Sequence, residues 1–129
     1  MLPNPYFRES EFKCKCGECK MPENVPSDKL ISALVELREL FNSPIIINSG
    51  YRCQKHNARV GGAPKSQHFI GSAADFVVKG HKTEEVFKVV MDKFKDKGFG
   101  IAIKRNPNNP YGGFVHLDSR GVFATWEYK

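Results

Sequence analysis

The clearest periodicity in the chain runs through SDKLISALVELRELF, residues 27–41. Leu30, Leu34, Leu37 and Phe41 recur at the spacing that lines one face of an α-helix. Ser27 supplies an N-cap after Pro26, and Asn42, Ser43 and Pro44 close the segment. The pattern then changes. Ile45 to Asn48 is a β-branched run ahead of Gly50 and reads as a short buried strand. Tyr51 to Phe69 has no clear period, holds Gly61, Gly62 and Pro64 among many polar side chains, and is expected to be loop-rich. Long loops in small domains commonly carry function. Ala74 to Val78 predicts a strand, and Thr83 to Lys97 a second helix with Val86, Val89, Val90 and Phe94 on one face. Phe99 to Ile103, Gly113 to Asp118 and Gly121 to Trp126 predict further strands, with NPNNPYGG as the turn between the first two. Strands joined by turns make a mainly antiparallel sheet. The expected class is α+β, a small sheet with two main helices packed on it.

The chain has 129 residues, the size of one domain and enough to bury a core without staples. No apolar run approaches the length of a membrane span. MLPNPYFRES lacks a charged segment followed by an apolar stretch, so no signal peptide is read and synthesis in the cytoplasm is expected. Twenty Lys and Arg against fourteen Asp and Glu give a net charge of +6. A basic surface favours polyanions such as nucleic acid, anionic lipid or the acidic polymers of a bacterial wall. The lysines are scattered and no nucleic-acid-binding motif is present, so a nucleic-acid partner would rest on charge alone and is not expected.

Candidate chemistry sits in SQHFIGSAAD, residues 66–75, where small residues separate His68 from Asp75. One reading is a surface loop leading into a strand. The other is two ligands of one metal ion. Downstream, alternation in GFVHLDS puts Phe114, His116 and Asp118 on one side of a strand. If that side turns toward His68 and Asp75, two imidazoles and one carboxylate converge. That is the ligand count of a catalytic zinc site with its fourth position open. Spacing by itself leaves both readings standing.

SQHFIGSAAD also matches the pattern S-x-H-x-x-G-x-A-x-D and so resembles the zinc D-Ala-D-Ala carboxypeptidases and L-Ala-D-Glu murein endopeptidases. Bacterial cell-wall enzymes and phage endolysins belong to this group, and its fold is similar to that of Hedgehog-type domains. INSGYRCQKHNARVGGAPKSQH looks like the family's strand, SGYR turn and N-x-x-V-G-G loop. GFGIAI and GGFVHLDSR look like its late strands, and the Trp of FATWEY sits where the family often has one. The resemblance covers roughly residues 27–127. It implies one zinc peptidase domain over residues 1–129, with the cysteine-containing segment 1–26 packed on it. It implies zinc bound by His68, Asp75 and His116, and Gly71, Ala73 and Ala74 small enough for tight packing. Arg52 would bind a substrate carboxylate or the developing oxyanion, and Ser66 would orient the loop.

The implied activity is hydrolysis of peptide bonds in peptidoglycan stem peptides by a metal-activated water. The implied protein is a monomer that acts on the cell wall after phage-type release. The match breaks at the general base. Relatives carry Glu or Asp three residues before the last ligand, or His two before it; here those positions are Gly113 and Phe114. Asp118 is the nearest carboxylate in sequence and is expected either as the base or as the holder of a ligand or substrate group. His56 stands second to it, and His81 is expected to be solvated. The unfilled position keeps an alternative open, a non-catalytic zinc-binding module of a phage or wall-associated protein.

Cys14, Cys16 and Cys19 lie in CKCGEC, and Cys53 follows Arg52. A structural zinc held by all four, one or two disulfides, or free thiols are all compatible with this spacing. The paired C-x-x-C arrangement of many zinc modules is missing. A crosslink of either kind would tie the N-terminal segment to the loop beside Arg52.

Overall fold

The computed structural model describes residues 1–62, 66–70 and 72–129. A 3-10 turn at Glu9–Phe12 precedes α1 (Asp28–Phe41), β1 (Ile45–Ser49), α2 (Gln54–Arg59), α3 (Gln67–Ile70), β2 (Ala73–Val78) and α4 (Thr83–Phe94). Then follow β3 (Gly100–Lys104), β4 (Phe114–Asp118) and β5 (Ala124–Tyr128). The strands form one five-stranded sheet in the order β1-β2-β4-β3-β5. Pairing is antiparallel except between β3 and β5, which run parallel. The α+β class holds, with a mixed sheet.

The helix over residues 27–41 forms as its pattern predicts. Ser27 Oγ accepts the Leu30 N–H at 3.3 Å, satisfying one of the free amides of the first turn. At the other end Asn42 adopts the left-handed conformation, φ 49°, and its N–H reaches the Arg38 carbonyl. Leu30, Ile31, Leu34 and Leu37 are buried against one face of the sheet, where α4 adds Val86, Val90 and Phe94. The sheet contributes Phe76, Val78, Ile101, Val115 and Leu117. Phe7 and Phe12 of the N-terminal segment join this same core. Burying each such side chain stabilises the fold by roughly 1.5–3 kcal/mol. The opposite face of the sheet is therefore the one left for polar side chains.

Several boundaries differ from expectation, each for a local reason. The stretch 51–69 contains two short helices, too brief for a hydrophobic period to show. α4 stops at Phe94 because the chain then turns through Gly98, φ 79°. β5 starts later than expected and reaches Tyr128, once Gly121 N–H has bonded to the Gly98 carbonyl at 2.8 Å. β1 is half-buried rather than buried: Ile45 and Ile47 face the core and Ile46 is exposed. The pairing of β1 with β2 also slips by one residue between Ile47 and Ser49, so that Ser49 stands opposite Asp75. A bulge of this kind re-aims the residues that follow it.

Candidate active site

The register of the sheet brings Asp75 directly opposite His116. Directly paired residues project to the same face, and this face is the one away from α1 and α4. His68 comes from α3, whose backbone is anchored on both sides. Ser66 Oγ accepts the His68 N–H at 3.1 Å, and the His68 carbonyl accepts the Arg52 N–H at 3.0 Å. His68 was expected in a polar loop; it is instead a buried helical residue, 3% exposed. Ala73 and Ala74, also buried, separate it from Asp75, while Gly71 lies outside the described residues.

His68 Nε2 lies 3.2 Å from Asp75 Oδ1, and His116 Nδ1 lies 2.8 Å from that same oxygen. The three donor atoms are all within 4.8 Å of one another. Each imidazole is held at its other nitrogen. His68 Nδ1 faces the Gly50 carbonyl at 2.7 Å, and His116 Nε2 faces Asp118 Oδ2 at 2.7 Å. Such partners fix the tautomer and aim the free nitrogen of a metal-ligating histidine. Burial works to raise the Asp75 carboxyl, but hydrogen bonds from His116 and His68 outweigh it and hold the group at about 2. Asp75 is thus an anion throughout the physiological range, as a ligand must be.

Arg52 stands beside the triad. Its NH2 group lies 3.5 Å from Asp75 Oδ2, and its Nε donates to Ser49 Oγ at 3.2 Å. Its NH1 reaches Asn57 Oδ1 at 3.5 Å. The bulge in β1 is what makes Ser49 available for this contact.

Asp118 is positioned otherwise than a general base would be. It is fully buried, and both its oxygens are engaged. Arg120 donates to it through Nε and NH2, each at 2.8 Å, and through its backbone N–H at 3.2 Å, while His116 Nε2 takes the remaining direction. Burial would raise the Asp118 carboxyl, but these bonds from Arg120 and His116 hold it well below the usual carboxylate range. Gly100 makes the room. A Cβ there would come within 2.5 Å of Asp118 Oδ2 and 2.6 Å of Arg120 Nε. The Arg120 guanidinium also stacks 4.8 Å over the ring of Trp126.

The triad forms the floor of a groove of about 480 Å³ walled by Arg52, Phe114, Trp126 and Tyr128. Another groove of about 490 Å³ runs between α1 and the turn at Phe94–Phe99, but Lys29, Glu36, Glu39 and Lys97 at its edge assemble no metal-ligating set. The Trp126 ring lies 5.2 Å from that of His116. Tyr128, two residues on, shares its face, and burial together with the nearby Asp75 charge raises its pKa. His56 lies on α2 with Nδ1 buried and without a hydrogen-bond partner among the described residues, and it is not among the described residues lining the groove. His81 pairs with Glu85 at 2.8 Å on the far side of the fold, packed on Phe41.

The family model described as Peptidase M15 matches residues 5–118. The chain belongs to the peptidase M15 family. A search of the curated proteins finds no match. The M15 match takes in His68, Asp75, His116, Arg52 and all four cysteines, and it ends at Asp118, before β5. Peptidases of this family are zinc enzymes, and the donor set of this M15 chain fits zinc: two imidazole nitrogens and one carboxylate oxygen, each oriented from behind.

Sequence reasoning passed over the Gly50 carbonyl, Ser49, Arg120 and Tyr128. The signals were thin. Arg120 follows Asp118 by two, and Tyr128 has the same strand parity as Trp126. The Gly50 carbonyl is backbone and leaves no mark in sequence.

Proposed function

We propose that this M15 peptidase is a zinc metallopeptidase that hydrolyses peptide bonds in peptidoglycan stem peptides. The observation that carries the reading is the convergence of His68 Nε2, His116 Nδ1 and the Asp75 carboxylate on the floor of an open groove, with Arg52 beside them. Zinc bound there would supply Lewis acidity and an acidified water.

The chain's own residues do the rest. His68, Asp75 and His116 would hold zinc with a fourth position left for water or substrate. Arg52 has five N–H donors, and Ser49, Asn57 and Asp75 engage only part of the fork. The remainder is directed at a substrate carboxylate or at the oxygen that gains charge during attack. Asp118 acts as a positioning residue. It accepts a hydrogen bond from His116 Nε2 and, clamped by Arg120, would keep Nδ1 aimed at a bound zinc. Tyr128 lines the groove with a phenol that is a hydrogen-bond donor at neutral pH. Trp126 and Phe114 supply apolar walls for a short peptide. The net charge of +6 favours approach to an acidic wall.

Among the described residues lining the groove, Asp75 is the single carboxylate. That observation favours a second reading, a module that binds zinc and wall fragments without cutting them. Mass spectrometry of purified stem peptides incubated with zinc-loaded protein separates the two. Release of D-alanine identifies carboxypeptidase action, and new internal amino termini identify endopeptidase action. Intact stems across several wall types, with zinc bound at the triad, reject hydrolysis in favour of the binding module.

A further inference from the structure

The second ligand cluster of the molecule lies outside the groove. Cys14, Cys16, Cys19 and Cys53 bring their four sulfurs within 4.8 Å of one another. Cys14 Sγ lies 3.7 Å from Cys53 Sγ, Cys53 Sγ lies 3.8 Å from Cys16 Sγ, and Cys16 Sγ lies 3.3 Å from Cys19 Sγ. Zn–S bonds of about 2.3 Å in a tetrahedron set neighbouring sulfurs about 3.8 Å apart. Disulfides would need the sulfurs only in pairs. Here Cys53 approaches both Cys14 and Cys16, and Cys16 approaches both Cys53 and Cys19, so four sulfurs surround one point.

The backbone around them is arranged for thiolates. The N–H groups of Glu18 and Cys19 both point to Cys16 Sγ at 3.4 Å. The Cys53 N–H points to Cys14 Sγ at 3.3 Å, and the His56 N–H to Cys53 Sγ at 3.5 Å. Gly17, φ 73°, lets the chain turn back sharply enough for the first two of these contacts. Lys13, Lys15 and Lys20 intersperse the cluster in sequence.

We infer that these four cysteines hold a structural zinc ion, separate from the His68, Asp75 and His116 site. The site is closed: four thiolates fill a tetrahedral sphere and leave no position for water or substrate. Its role follows from what it joins. Cys14 lies two residues beyond Phe12, which is fully buried and whose carbonyl accepts the Tyr51 N–H at 2.9 Å. Cys53 is the N-cap of α2 and the residue after Arg52. The ion therefore staples the N-terminal segment to the turn that carries Arg52, in a region where no strand pairing among the described residues does so.

The test does not rest on peptidase activity. A His68→Ala/His116→Ala variant, dialysed exhaustively after zinc loading, is expected to retain one zinc per chain. Its cobalt-substituted form is expected to show intense thiolate-to-cobalt charge-transfer absorption, and adding Cys14→Ser and Cys53→Ser is expected to remove both signals. A measurement on the unaltered chain covers the case in which the variants fail to fold. All four thiols should resist alkylation in the native protein and react once a strong chelator is added. Thiols that alkylate freely without chelator, or an intact mass showing two disulfides, would overturn the proposal. An inert protein that still holds thiol-bound zinc would overturn only the peptidase reading.

Discussion

His68, Asp75 and His116 are each at most 5% exposed, and two of the three are cross-strand partners in one sheet. The four cysteines are half-buried, lie on turns and a helix N-terminus, and are joined by no strand ladder. One ligand set is aimed before any ion arrives, because register, Gly50, Asp118 and Arg120 fix each side chain. The other is gathered by turns and by backbone N–H groups that point to Cys16, Cys14 and Cys53. The difference follows from what each must do. A reactive ion needs an open position and ligands that do not relax around it. A staple needs closure and gains most where the chain has few other ties. The two meet in the short run Gly50–Cys53, whose carbonyl, guanidinium and thiol serve the triad, the groove and the cluster in turn.

Mutations should break the two sites independently. His116→Ala is expected to abolish stem-peptide hydrolysis and triad-bound zinc while leaving one thiol-bound zinc, as read by product chromatography and metal stoichiometry. Arg52→Ala should lower kcat/KM by about 10²–10³-fold, the cost of losing one oxyanion donor, with both ions retained and the circular dichroism spectrum unchanged. Asp118→Asn keeps the shape but weakens the Arg120 clamp. Chelator competition should find affinity at the triad lower by about 10–100-fold and affinity at the thiols unaltered. In a melting experiment the ranking reverses, because Cys14→Ser should cost more thermal stability than His116→Ala. Tyr128→Phe removes one hydrogen bond, about 1 kcal/mol, and so should reduce kcat/KM by about fivefold.

Much of the framework was legible. Leu30, Leu34 and Leu37 announce α1 because a helix long enough to repeat its period marks its buried face. Alternation in FVHLD puts His116 and Asp118 on one face, and the structure finds them hydrogen-bonded there. The direction in which Asp118 works was not legible. It depends on Arg120 folding back and on the missing side chain of Gly100, the cross-strand partner of Asp118, neither of which alternation encodes. α2 and α3 escaped because six and four residues are too few to establish a period. The parallel pairing of β5 escaped because it depends on a long-range contact between Gly121 and Gly98. With β5 went Tyr128, a wall of the groove.

The one-residue slip in β1 has a consequence for how the strand can be edited. Before Asn48 the odd-numbered side chains face the oily layer; after it, an odd-numbered side chain faces the groove. The strand carries two phases, and Asn48 is the junction between them. Deleting that residue would leave the core and the face of Ser49 unchanged while removing the bend that re-aims the chain toward Gly50 and Arg52. A loss of function there would arise from a change in strand direction rather than from the removal of any group that reaches the groove.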